Sequence, residues 1–228
     1  MEAIEAVIHM KEVEKSYGSG NRQVQVLKGI NLSINENQVI ALKGRSGSGK
    51  TTILNLIGAL DRPTNGEIYF QGHPLSHLSD KQQSEYRRTK LGFIFQSHGL
   101  VPLMTVEENI EFGLRVAEVS REEWSTRVKS AIELVGLTNR AKHRPFELSG
   151  GEQQRVAIAR AISIEPPLIL ADEPTAELNS SMAFHIIQAF KRLVKTKNMT
   201  MIMTTHDPAV MEMLDKVYTL EDGRIETI

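Results

Sequence analysis

Cysteine is missing from all 228 residues, which removes disulfide frameworks, thiolate metal sites and cysteine nucleophiles in one step and is compatible with a reducing cytosol. A surplus of either charge is missing too: 27 Lys plus Arg stand against 28 Asp plus Glu, a formal net charge of −1. Such balance leaves no electrostatic footprint for nucleic acid, so no nucleic-acid partner is expected. No apolar run approaches the ~20 residues that span a bilayer. Residues 1–6 carry neither the basic start nor the apolar stretch of a secretory leader. The chain is therefore expected to avoid direct membrane insertion and to reach any membrane through a partner. Internal repeats and low-complexity tracts are also lacking.

What is present is ordinary for a globular protein, 40% apolar and 24% charged. The length suits one α/β domain carrying a smaller subdomain and is too short for two catalytic domains. Short apolar runs alternate with helical patterns, which predicts a largely parallel sheet. Residues 8–13, 25–34 and 38–43 read as early strands, the first two as an antiparallel edge, and 49–60 reads as a helix. Residues 91–95, 168–172 and 199–204 read as buried strands. In 216–228 the pair Asp222-Gly223 between two short strands signals a hairpin. Over 97–148 the pattern turns helical, with Thr105 and Glu108, then Ser120 and Glu123, spaced as capping boxes.

The run Gly44-Arg45-Ser46-Gly47-Ser48-Gly49-Lys50-Thr51 fits the phosphate-loop spacing. It falls where the mechanism needs it, after a strand and before a helix that Thr52 continues. Its glycines let backbone N–H groups turn towards phosphates, and the helix start supplies positive dipole. Lys50 reaches the terminal phosphates and Thr51 offers a hydroxyl to magnesium. A flexible Gly/Ser loop would use the same letters, but not in that setting. Asp172 and Glu173 end a buried apolar strand, the usual ligand edge of an open α/β sheet. Acids at strand ends are commonly just solvated. Beside a phosphate loop they gain a chemical reading: Asp172 holds magnesium through water and Glu173 polarises the attacking water. Ser149, with Glu152 three residues on, is an N-cap, so Gly150 and Gly151 open a helix whose amides face an anion.

Leu148-Ser149-Gly150-Gly151-Glu152-Gln153, continued by residues 154–161, resembles the signature motif of ABC ATPases, and the resemblance covers nearly the whole chain. It implies one ATPase domain over 1–228, of the α/β class. The core is a phosphate-loop NTPase with a mostly parallel sheet, an N-terminal antiparallel β subdomain and an inserted α-helical subdomain of approximately 97–160. It implies ATP and Mg2+ as cofactors and hydrolysis to ADP and phosphate. Glu173 is then the general base, His206 contacts the γ-phosphate beside it, and Lys50 holds the terminal phosphates. Tyr17 matches the aromatic that stacks on adenine. Gln96 matches the glutamine that joins Thr51 and Asp172 around magnesium and senses the membrane partner. Read alone, Tyr17 before Gly18 is a packing or turn residue, Gln96 a polar strand end and His206 an exposed histidine.

The resemblance further implies that two copies meet head to tail, the Lys50 loop of one facing Ser149, Gly150, Gly151 and Glu152 of the other across ATP. The pair drives a separate transmembrane permease, which places the chain in the cytoplasm, peripheral on the inner face of the membrane. Residues 97–104 match the stretch that receives the permease, although their apolar side chains would equally serve as subdomain core. Asn179 departs from the pattern: relatives carry Asp there, which bears on cross-dimer contacts and on the hydrolysis rate. Within the family, the phosphate loop and residues 100–110 look most like the lipoprotein-release, macrolide-export and antimicrobial-peptide-resistance type. The permeases of that type have four membrane helices and a large external domain. Three alternatives stay open. An importer ATPase would serve a six-span permease with a binding protein. A soluble ABC ATPase acting on DNA or ribosomes would need a long insertion or two ATPase domains. A small-molecule kinase leaves 148–153 unexplained.

Overall fold

The computed structural model describes residues 6–226. Residues 1–5, and the last two of the expected closing segment 216–228, lie outside the described residues. Strands β1 (Ala6–Tyr17), β2 (Val24–Asn35), β4 (Asn65–Phe70) and β5 (His73–Pro74) form an antiparallel sheet in the order β2-β1-β4-β5. A second sheet runs β10-β9-β3-β8-β7-β6. In it β3 (Val39–Lys43), β6 (Leu91–Ile94), β7 (Leu168–Ala171), β8 (Thr200–Thr204) and β9 (Lys216–Glu221) are parallel. The short β10 (Arg224–Glu226) turns back on β9 through Asp222-Gly223, as the hairpin pattern predicts.

Both faces of the parallel sheet are covered, and the period of two divides each strand between two cores. On β3, Val39 and Ala41 enter one core while Ile40 and Leu42 enter the other. On β7 the division is Ile169 and Ala171 against Leu168 and Leu170; on β8 it is Met201 and Met203 against Ile202. The first core is closed by α3 (Val106–Val116), α4 (Arg121–Leu134), α5 (Gly150–Ser163) and α6 (Ser180–Lys197). The second is closed by α1 (Lys50–Ile57), α2 (Asp80–Lys90) and the antiparallel sheet. Each fully buried aliphatic side chain contributes about 1.5–3 kcal/mol, so a one-residue slip in any central strand would exchange both cores at once.

Helices α3, α4 and α5 pack on one another as the helical insertion. Thr105 caps α3: its hydroxyl accepts from the Glu108 N–H at 3.2 Å, and Glu108 accepts from the Thr105 N–H at 2.7 Å. The box expected at Ser120 does not form. Arg127, one turn on, takes the Glu123 carboxylate at 2.7 Å, and Ser120 contributes only its carbonyl, to the Glu123 N–H. Among the described residues no helix is long and apolar enough to cross a membrane.

Candidate functional site

The parallel strands bring the loops that follow β3, β6, β7 and β8 to one edge of the sheet. There Gly44, Ser46, Gly47, Gly49, Lys50, Thr51, Thr52, Gln96, Asp172, Glu173 and His206 line one cleft. Arg45 and Ser48 lie on the far side of the same loop, towards the β9–β10 hairpin.

Gly49 forms the N-cap of α1 with φ 106°, and a Cβ there would stand 2.7 Å from Leu27. The positive φ favours glycine, and a side chain there would also displace the end of Leu27. No side chain caps this helix, so its first N–H groups are left available to an anion. Lys50 lies back along the loop, Nζ donating to the Gly44 and Arg45 carbonyls at 2.8 and 3.0 Å.

Opposite the loop, Asp172 is gripped by two hydroxyls. Thr51 donates to Oδ2 at 2.9 Å and Thr204 to Oδ1 at 2.6 Å. Thr204 also accepts from the Glu173 N–H at 2.9 Å, so one fully buried threonine aligns both acids. Glu173 is left-handed, φ 49°, a conformation costing about 1–3 kcal/mol in a side-chain-bearing residue. Its carboxylate stands 3.4 Å from Nδ1 of the exposed His206. The Thr51 hydroxyl, the Asp172 carboxylate beside it and the Gln96 side chain make a hard donor set on one cleft. Such a set fits Mg2+, a hard cation that takes oxygen ligands.

Tyr17 ends β1 beyond the residues that line the cleft and is 42% exposed. Its hydroxyl donates to Asp61 at 2.9 Å, and Lys15 donates to the other carboxylate oxygen at 2.6 Å. Burial, with Asp61 alongside, pushes the Tyr17 hydroxyl pKa up. Burial alone would raise Asp61 as well, but Lys15 and the Arg62 N–H hold its carboxyl below the usual range.

Ser149, Gly150, Gly151 and Glu152 do not join the cleft. They open α5 as the expected capping box, Ser149 Oγ accepting from the Glu152 N–H at 3.3 Å and Glu152 accepting from the Ser149 N–H at 2.9 Å. That N–H holds the Glu152 carboxyl below its usual range. The box is therefore intact at neutral pH and weakens as pH falls through the carboxylate range. Against it packs the turn after Glu173: Gln154 donates to the Pro174 carbonyl at 3.2 Å. Asn179 closes that turn as the N-cap of α6, Oδ1 accepting from the Met182 N–H at 2.9 Å.

Two positioning residues have roles that the sequence reading does not assign. Thr204 sits inside a recognised strand, where its hydroxyl looks incidental. Asn109 is fully buried within α3 and folds the loop before it, its amide donating to the Val101, Met104 and Thr105 carbonyls while Oδ1 accepts from the Val101 N–H. An amide on an apolar helix face must find such partners.

Residues 27–176 match the family described as ABC transporter. A lipoprotein-releasing system ATP-binding protein, LolD, of Geobacter metallireducens is 40% identical over 220 residues, 96% of this chain and 98% of the relative. A putative hemin import ATP-binding protein, HrtA, of Staphylococcus haemolyticus is 42% identical over 219 residues, 96% and 99% of the two chains. Among solved structures, the ATP-binding cassette MJ0796 in a dimeric post-hydrolysis state with ADP and Pi superposes with a TM-score of 0.91. It is 40% identical and the match covers 96% of this chain and 97% of that one; the relative of the same name comes from Methanocaldococcus jannaschii.

Proposed function

Because the chain belongs to the ABC transporter family as an ATP-binding, ATP-hydrolysing subunit, we propose that two copies close head to tail around ATP and Mg2+ to drive a separate membrane-spanning permease. The observation that carries this is a separation: within one chain the signature residues Ser149–Glu152 stay out of the cleft that holds Lys50, Asp172 and Glu173. A second copy supplies the missing side. The dimer of the MJ0796 cassette supports the same reading.

In that assembly the α1 N-terminus and Lys50 hold the β- and γ-phosphates, and the partner's α5 N-terminus meets the γ-phosphate from across the interface. Thr51, Gln96 and Asp172 would hold magnesium, which would supply positive charge against the phosphate oxygens. Glu173 takes a proton from the attacking water, and His206 keeps that water in line. Tyr17 stacks on adenine. Losing the γ-phosphate removes contacts from both copies, so the pair opens. Residues 97–104, clamped by Asn109, receive the permease and hold the chain at the inner face of the membrane.

The permease is read as an exporter or a mechanical transmitter, supported by the lipoprotein-releasing relative and by residues 100–110. The hemin import name of another relative favours the importer reading. Co-expression with candidate permeases of both kinds separates them. A four-span permease with a large external domain, purified with the chain and stimulating Mg2+-dependent ATP hydrolysis, is the expected result. A six-span permease with a binding protein would replace the exporter reading, and a chain without Mg2+-dependent hydrolysis in either complex would sink both.

Asn179 bears on the rate. Its side-chain oxygen is already committed to capping α6, and an aspartate caps as well while interacting more favourably with the helix dipole. Asn179→Asp is therefore expected to fold at least as stably as the parent. It should raise ATPase activity of the assembled transporter by up to about tenfold, as a charged acceptor strengthens one hydrogen bond across the interface. Steady-state hydrolysis, with nucleotide affinity measured separately, checks this; a fall in activity would mean that the amide N–H has its own partner.

A further inference from the structure

His98 has a left-handed backbone, φ 61°, a region that few side chains enter, although His does so more readily than most. Arg160 of α5 holds it there, donating to the His98 carbonyl at 2.9 Å and the Gly99 carbonyl at 2.6 Å. The imidazole turns inward, its side chain 13% exposed and Nε2 shut off from solvent. Nε2 faces Glu177 Oε1 at 3.4 Å, a contact too poorly aligned for a full hydrogen bond. The other carboxylate oxygen lies over the start of α5: a Cβ on Gly150 would stand 2.1 Å from Glu177 Oε2, and one on Gly151 2.7 Å from the Glu177 carbonyl. One pair of side chains thus meets three segments. These are the stretch after Gln96, the signature start, and the turn between Glu173 and Asn179.

We propose that His98 and Glu177 are positioning residues that fix the face a second copy reads. The pair holds the Gly150–Gly151 backbone and the Asn179 turn in register with residues 97–104. Residues 97–104 are themselves held at both ends, by Arg160 and by Asn109. Their displacement is therefore carried through the pair to the signature helix instead of being absorbed by a loose loop. Neither side chain lines the nucleotide cleft, so the effect falls on the dimer and not on nucleotide capture by one chain. The inference rests on the two-copy reading.

The test measures ATP-driven dimerisation by sedimentation over a range of protein concentrations, in a Glu173→Gln background that keeps ATP intact. His98→Phe, which preserves the ring volume, and Glu177→Gln should each raise the dimer dissociation constant about two- to fivefold, the scale of one partly exposed polar contact. The combined variant should be no worse than the weaker single variant, because one contact can be lost only once. His98→Gln, which retains an N–H donor, should recover much of the loss. ATP affinity of the single chain should stay within about twofold of the parent, a split that a general folding defect would not give. Additive losses, a dimer tightened by Glu177→Gln, or an equal loss of ATP affinity would each overturn the assignment. A parent that stays monomeric at saturating ATP removes the two-copy reading and the inference with it, whereas a parent dimer indifferent to His98→Phe removes the inference alone.

Discussion

Glu173→Gln is expected to bind ATP normally and to hydrolyse it about 10²- to 10⁴-fold more slowly, the range a positioned general base contributes. The amide keeps the shape of the carboxylate, and the contact that fixes this residue runs through its backbone N–H to Thr204, which the substitution leaves alone. The left-handed backbone at φ 49° is likewise unaffected. What disappears is the basic oxygen 3.4 Å from His206. With binding intact and hydrolysis stalled, the variant should collect as an ATP-bound dimer. Light scattering with and without ATP, beside a phosphate-release assay, checks both halves. Turnover at the parent rate would remove Glu173 from the mechanism.

The parts of the fold legible in the sequence are those whose pattern is local. Strand β7 and the interiors of β3 and β8 are unbroken apolar runs, and such runs belong to strands covered on both faces. The hairpin at Asp222-Gly223 and the caps at Thr105 and Ser149 depend on residues a few positions apart. Less legible is a cap with a competitor. Ser120 and Glu123 have the right spacing, but Arg127 offers Glu123 a charged partner at 2.7 Å, and the cap is not made. Helix α2 was not anticipated, although Ser79 and Gln82 form a capping box there. Its polar sequence buries little beyond Gln83 and Tyr86, so no apolar stripe announces it.

The site divides in the same way. The phosphate loop and the acids that end β7 are contiguous in sequence, so spacing alone brings them into view. Thr204 and Asn109 act through hydrogen bonds to residues that only folding brings close, or to carbonyls that any residue carries. Thr204 belongs to no motif, and Asn109, although inside the stretch 100–110, shows no role there by its letter alone. Glu177 and His98 lie far apart in sequence and meet only because α5 carries Gly150 beneath one and Arg160 beneath the other. The signature is the reverse case, recognisable in sequence yet outside its own chain's cleft, as the proposed two-copy site requires.

Lys50→Ala should cost about 10²- to 10³-fold in hydrolysis, the loss that follows removal of one preorganised donor from a developing charge. Lys50 is the ammonium carried by the first residue of α1, at the point where the helix dipole already favours an anion. Its two present contacts, to the Gly44 and Arg45 carbonyls, are lone-pair contacts at the cleft edge. Water replaces an ammonium there at little cost, so the thermal midpoint should move by no more than a few degrees. ATP affinity should fall less than the rate, because the loop amides and the helix N-terminus continue to hold the phosphates. This pattern differs from that of Glu173→Gln, since Lys50→Ala weakens the grip on the γ-phosphate that draws a second copy in and should not collect as an ATP-bound dimer. The two variants, run side by side in hydrolysis and light-scattering assays, distinguish loss of phosphate binding from loss of the base. A Lys50→Ala protein that turns over at the parent rate, or that dimerises on ATP as Glu173→Gln does, would show that the loop does not bind the terminal phosphates.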